Sequence, residues 1–149
     1  MRTYLINYTE QPEFIELIVQ GYKKFDLAKK TILFIEPYGA VLSLLKRGFE
    51  KKYNIIVLTA NSDFRVVPDE ILNQATISIK IDTANNHSVV DLAEKLYQQM
   101  SIDAVIPGFE YFVPIASKVS ALLKVPGIDY KHVLNLRRKD LMRTALNKA

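Results

Sequence analysis

Thr31-Ile32-Leu33-Phe34-Ile35-Glu36-Pro37-Tyr38-Gly39 is the stretch on which the fold turns. Its apolar run breaks off at a Pro and a Gly. A short apolar run bounded by turn residues suits a strand covered on both faces. Asn54-Ile55-Ile56-Val57-Leu58-Thr59 repeats the pattern, and Asp103-Ala104-Val105-Ile106 does so before Pro107-Gly108. Residues 76–81 alternate instead, with Ile77, Ile79 and Ile81 on one side, which predicts a strand with one wet face near a sheet edge.

Helical periodicity fills the gaps between these strands. Val41, Leu42, Leu44, Leu45 and Phe49 form one apolar stripe, and Val89, Leu92, Ala93, Leu96 and Met100 form another, with Ser88 as its expected N-cap. Phe112, Ile115, Ala116, Val119 and Leu123 make a third, stopped by Val125-Pro126-Gly127, and a weaker helix is expected over residues 69–74. Helices between apolar strands imply βαβ units. The fold expected is therefore α/β, a three-layer Rossmann-like parallel sheet of about four strands in the order 3-2-1-4. Residues 13–25 carry Phe14, Ile15, Leu17, Ile18 and Tyr22, an extra N-terminal helix that must bury its apolar side on the domain, a second chain or another domain. The organisation read from this pattern is a helical extension over residues 1–30, the Rossmann-like domain over 31–128, and terminal helices over 129–149.

Composition narrows the function classes. With 149 residues, a substantial core needs no covalent staples. The absence of cysteine excludes disulfides, thiolate catalysis and cysteine zinc sites, and fits a cytoplasmic protein. No apolar run is long enough to span a bilayer, and residues 1–10 lack a signal-peptide core, so no membrane partner is expected. The net charge of +4 is uneven. Residues 131–149 hold six basic side chains against Asp140 alone, leaving 14 basic and 15 acidic residues before them. Tyr4, Tyr8, Tyr22 and Tyr53 are scattered rather than arranged as a stacking platform, so nucleic acid is not an expected partner.

Ligands of open α/β sheets bind beyond the carboxyl ends of the strands, where strand order reverses. With the order 3-2-1-4, that crevice lies between the loops Glu36-Pro37-Tyr38-Gly39-Ala40 and Pro107-Gly108-Phe109-Glu110. Gly39 and Gly108 permit close backbone approach to a small molecule, and Glu110 suits an amine or cation. Plain turn chemistry is the alternative for both loops, and Glu36 reads as a solvent carboxylate at a strand end. Gly-x-Gly-x-x-Gly and the Walker loop are both missing, which counts against an NAD(P) oxidoreductase or a P-loop enzyme. Asp63 alone is a weak ribose ligand, and neither His87 nor His132 has a spaced partner for metal or acid–base work.

From Thr31 onward, about four-fifths of the chain resembles the pre-ATP-grasp domain of ATP-grasp carboxylate–amine ligases. Ile32-Leu33-Phe34-Ile35-Glu36-Pro37-Tyr38-Gly39 is similar to the opening strand and acid-Pro-aromatic turn of amino-acid-ligase-like members, although Gly39 stands where Ser-Ser-Gly is common. Val105-Ile106-Pro107-Gly108-Phe109-Glu110 and Leu123-Lys124-Val125-Pro126-Gly127 resemble the family's Gly-x-Glu loop and its Leu-Pro-Gly exit. Arg137-Arg138-Lys139-Asp140-Leu141-Met142-Arg143 resembles the helix leading into the ATP-binding domains, with Arg138 replacing the usual Asp.

The resemblance implies a reaction in which ATP and Mg²⁺ activate a carboxylate as an acyl phosphate that an amine attacks. It implies that Gly39, Gly108 and Glu110 form part of the substrate wall and that Lys139 contacts ATP phosphate. The metal and adenine sites of the family belong to its central and C-terminal domains, the expected partners of this chain. No catalytic or metal residue is assigned, no tight ATP binding is expected, and the fragment alone should be inactive. The competing expectation is a standalone Rossmann-like ligand-binding module that dimerises through the residue 13–25 helix and the basic tail.

Overall fold

The computed structural model describes residues 5–126 except 12, 15, 17, 19–24 and 63–66. Five parallel strands form one sheet: β1 (Ile6–Asn7), β2 (Thr31–Ile35), β3 (Asn54–Thr59), β4 (Ile77–Lys80) and β5 (Ala104–Pro107). Their spatial order is β1-β4-β3-β2-β5. The strands predicted from sequence keep the expected order, and a fifth is added at the β4 edge, where Ile6 pairs with Ile79 and Asn7 with Lys80. The helices are α1 (Val41–Glu50), α2 (Asp69–Gln74), α3 (Asn86–Gln99) and α4 (Val113–Leu123), the last preceded by a 3₁₀ turn at Glu110–Phe112.

Alternation along the strands feeds two cores. Leu33, Ile35, Ile56, Leu58, Ile77 and Ile79 face α3 and α4, in a cluster with Val89, Leu92, Leu96, Ile115 and Val119. Phe34, Ile55 and Val57 pack on the opposite face with Leu45, Ile71 and Leu72. Both faces of the central strands are thus dry, which is why β2 and β3 read as continuous apolar runs. Each such Ile or Leu contributes about 1.5–3 kcal/mol by leaving water. Gly48 lets α1 approach β3, since a Cβ there would stand 3.0 Å from Ile55 Cδ1.

Two local readings are corrected. Residue 85, not Ser88, caps α3: the Asn85 side chain accepts the Ser88 N–H at 3.2 Å. A cap must supply its oxygen from just outside the first turn, and Ser88 already lies within it. The supposedly wet face of β4 is buried at Ser78, whose hydroxyl donates to the Leu72 carbonyl at the end of α2 (2.9 Å). β4 does lie near the sheet edge, with the two-residue β1 outside it.

Among its described residues, the N-terminal segment buries Phe14 and Ile18 on the domain itself. Residues 13, 14, 16 and 18 have helical backbone, and Phe14 and Ile18 are wholly buried in the α3–α4 core. Tyr8 meets Phe14 edge to face with ring centroids 5.3 Å apart. At the other end of the sheet, Asn54 accepts from the Asp26 N–H (3.1 Å) and donates to the Asp26 carbonyl (3.0 Å) and the Thr31 hydroxyl (3.1 Å), anchoring the approach to β2.

Candidate functional site

The chain runs β2, β3, β4 outward in one direction and then returns to place β5 on the other side of β2. The helices after the two neighbouring strands pack on opposite faces: Leu45 of α1 belongs to one core and Ile115 of α4 to the other. The reversal of strand order therefore falls between the loops that follow β2 and β5, as expected.

The two loops are in direct contact. Gly108 N–H donates to the Ile35 carbonyl at 2.7 Å. A Cβ on Gly108 would stand 1.6 Å from the Glu36 carbonyl oxygen, so only glycine fits. Gly39 is required for a different reason. Its φ is +68°, and nothing lies within 4 Å of the Cβ position. It serves the turn and leaves the space above it open.

Glu36 departs from its reading as a solvent carboxylate. It is wholly buried, with φ of 54°. Its N–H donates to Leu58 O (2.8 Å) and its Oε1 accepts from the Ala60 N–H (3.0 Å). The carboxylate joins the loop after β2 to the loop after β3. Because β3 flanks β2, that partner is supplied by tertiary packing and is invisible in local sequence.

An aromatic wall rises from both loops. Tyr38 and Phe109 have ring centroids 5.2 Å apart; Phe109 also meets Phe112 at 5.1 Å and stacks with Tyr111 at 6.2 Å. Phe112 is buried, whereas Phe109 and Tyr111 remain 41% and 50% exposed. This wall was missed by the sequence reading, although each loop visibly carries an aromatic beside its glycine. Large apolar rings left in contact with water at a crevice are suited to covering a ligand or a neighbouring domain. Exposed Glu110 opens the 3₁₀ turn next to Phe109.

The structure thus brings the loops of Gly39, Gly108 and Glu110 together. Lys139, Asp63 and His132 lie outside the described residues. His87 is exposed in the first turn of α3. Among the described residues no three His, Asp or Glu side chains are grouped so that they could hold a metal ion. No described helix is long and apolar enough to cross a membrane.

No family model matches the chain, and no curated protein matches it in sequence. Solved structures do match in fold. An L-amino acid ligase from Bacillus licheniformis superposes with a TM-score of 0.66 at 16% identity, over 80% of this chain and 30% of its own. A phosphoribosylglycinamide synthetase from Anaerococcus prevotii gives 0.65 at 17% identity, over 80% of this chain and 29% of its own. Both are ATP-grasp enzymes. The chain spans about 30% of the length of these structures. At such identity the likeness establishes the fold, which is the one the sequence resemblance implies.

Proposed function

We propose, from a chain that shares its fold with part of two ATP-grasp enzymes, that it is the N-terminal, substrate-side domain of an ATP-grasp carboxylate–amine ligase. The observation that carries this reading is the contact between Gly108 and Glu36, which locks the two loops of the crevice into one wall. In the proposed enzyme, Gly39 leaves room for a small-molecule substrate beside the backbone, Gly108 lines the same wall while its own missing side chain admits Glu36, and Glu110 holds the substrate's amine or another cationic group. The aromatic rings of Tyr38, Phe109 and Tyr111 would shield that substrate or pack against the next domain.

The acyl-phosphate chemistry needs ATP and Mg²⁺, whose ligands this reading assigns to central and C-terminal domains beyond Ala149. Lys139 is the one side chain of this chain assigned to ATP phosphate. A cation at developing phosphate charge lowers the barrier only when preorganised, which one domain cannot provide. The chain alone is therefore proposed to be inactive, in a cytoplasm that supplies nucleotide. Against the alternative of a dimerising module stands the burial of Phe14 and Ile18 within the domain itself, while Leu17 and the basic tail lie outside the described residues.

Two measurements test the reading. Titration calorimetry of the chain with Mg·ATP should give no tight binding, and micromolar affinity would contradict it. The coding sequence should continue past Ala149 into an ATP-grasp module, in which Glu110→Gln is expected to raise the substrate KM and Lys139→Ala the KM for ATP. A stop codon at that point would sink the ligase reading for this chain.

A further inference from the structure

On the α1 face of the sheet lies a cleft of about 150 Å³. α4 covers one face of β5, whereas on the other face α1 packs on β3. Ile32 of β2 and Ile106 of β5 are left half-buried there, and with Phe34 they line the cleft from the sheet side. Leu44 lines it from α1 and is 47% exposed. Tyr53, just before β3, sets the cleft toward the amino ends of the strands, away from the loop pair of Gly39 and Gly108. A concave apolar surface left in contact with water is suited to a ligand.

Charge narrows the kind of ligand. Arg47 and Lys51 line the same cleft, one turn apart at the C-terminal end of α1. Neither makes an ion pair among the described residues. No acidic side chain lines the cleft. Glu50, between them in sequence, lines a different groove with Lys46 and Glu70. A helix C-terminus favours cations, but two like charges one turn apart repel each other. An anion seated beside both relieves that repulsion, and the Arg fork matches the two oxygens of a carboxylate.

We infer that this cleft binds a short aliphatic carboxylate, its carbon chain along Ile32, Phe34, Leu44 and Ile106 and its charged end at Arg47 and Lys51. The volume equals about five water molecules at roughly 30 Å³ each, which suits a chain of about five or six carbons. Other occupants fit less well. Residues 131–149 hold six basic side chains against Asp140 alone and would be repelled. A second copy docking through the same face would bring its own Arg47 and Lys51. A protein partner needs about 800 Å² of surface on each side, more than a cleft of this size offers. The inference does not rest on the ligase reading.

The test is titration of the chain with sodium hexanoate, and separately with hexylammonium chloride and sodium acetate, followed by backbone amide NMR. Hexanoate should shift the amide resonances of Gly48, Tyr53 and Ile106 with an affinity of about 1 mM. Hexylammonium and acetate should bind at least about tenfold more weakly, since each lacks one half of the recognition. Joint replacement of Arg47→Gln and Lys51→Gln should weaken hexanoate about tenfold and leave thermal unfolding nearly unchanged, because both side chains are exposed. Leu44→Ser, also at an exposed position, should weaken it about threefold. Absence of hexanoate shifts, equal affinity for hexylammonium or acetate, or undiminished hexanoate affinity in either variant would overturn the inference. Since neither ATP nor a further domain enters the experiment, its outcome is independent of the calorimetry above.

Discussion

Gly108 sits so close to Glu36 that a single added methyl would overlap the Glu36 carbonyl oxygen at 1.6 Å. The obstructing atom is backbone, held by the Glu36 N–H bond to Leu58 and the Gly108 N–H bond to Ile35. Neither side can yield cheaply. Gly108→Ala should therefore destabilise the domain by more than about 3 kcal/mol in urea unfolding. Gly39→Ala, strained by its φ of +68° but free of any clash, should cost about 1–2 kcal/mol. Equal effects at the two glycines would refute this distinction.

Glu36 links the loops after β2 and β3 through the Ala60 N–H. Glu36→Ala removes the acceptor from a partly buried donor and should cost about 1–3 kcal/mol. Glu36→Gln keeps an oxygen in place and should lie much closer to the parent. Chemical denaturation of the pair checks this, and a Gln variant as damaged as the Ala variant would point to the charge rather than the hydrogen bond.

The Tyr8 hydroxyl donates to the Asp91 carboxylate, which also pairs with Lys95 at 2.9 Å. Burial first, then that hydrogen bond and the negative charges of Asp91 and Glu10, hold the Tyr8 hydroxyl well above its ordinary pKa. Unfolded Tyr8 ionises near pH 10, at roughly its reference value, while folded Tyr8 keeps its proton. The stability it contributes is therefore fully present below that pH and is lost as pH rises beyond it toward the folded value. Thermal unfolding followed from neutrality to about pH 11 should show a shallower alkaline decline in Tyr8→Phe than in the parent. Parallel declines would exclude the pair as their source.

At the acid end the sign reverses. Burial pushes Asp91 upward, but the Tyr8 hydrogen bond, Lys95 and the charge of His87 outweigh it and leave its carboxyl below the ordinary range. Its contribution is present above about pH 4 and is lost as pH falls through the folded value. Asp91→Asn should accordingly unfold with a flatter acid limb. Because the Asp91–Lys95 pair is partly exposed, added salt should narrow the difference.

Phe14 is wholly buried, against Tyr8 and the α3–α4 core. Phe14→Ala should cost about 3–5 kcal/mol in urea unfolding, the usual loss for an aromatic removed from a packed interior. A near-neutral result would mean that the N-terminal segment is an ornament on an independently stable sheet.

Much of this architecture is legible in the sequence because β2, β3 and β5 end at Pro, Gly or polar residues and carry apolar side chains toward both faces. The order of these strands with β4 follows from right-handed crossovers. β1 is not legible: Ile6–Asn7 is too short for any period to register, and it is a strand only because β4 offers a free edge. Ser78 misleads for a related reason. Its polarity suggests water, yet its hydroxyl is satisfied by the end of α2. At the crevice, the residue types of both loops point to a turn with room above it. The burial of Glu36 and the overlap at Gly108 depend on which strands become neighbours, and no window of local sequence contains that information.

The remote pairing of β1 also bears on how the chain is made. β1 is the first of the five strands to leave the ribosome, yet its partner emerges about 70 residues later, when Ile79 follows Ile6 out of the exit tunnel. Until then β2 and β3 can join while Ile6, Tyr8 and Phe14 wait uncovered. The tempo of translation across the β4 codons thus sets how long a nascent chain carries an open sheet edge among its neighbours on a polysome. Synonymous changes that slow that stretch should lower soluble yield without altering a single residue.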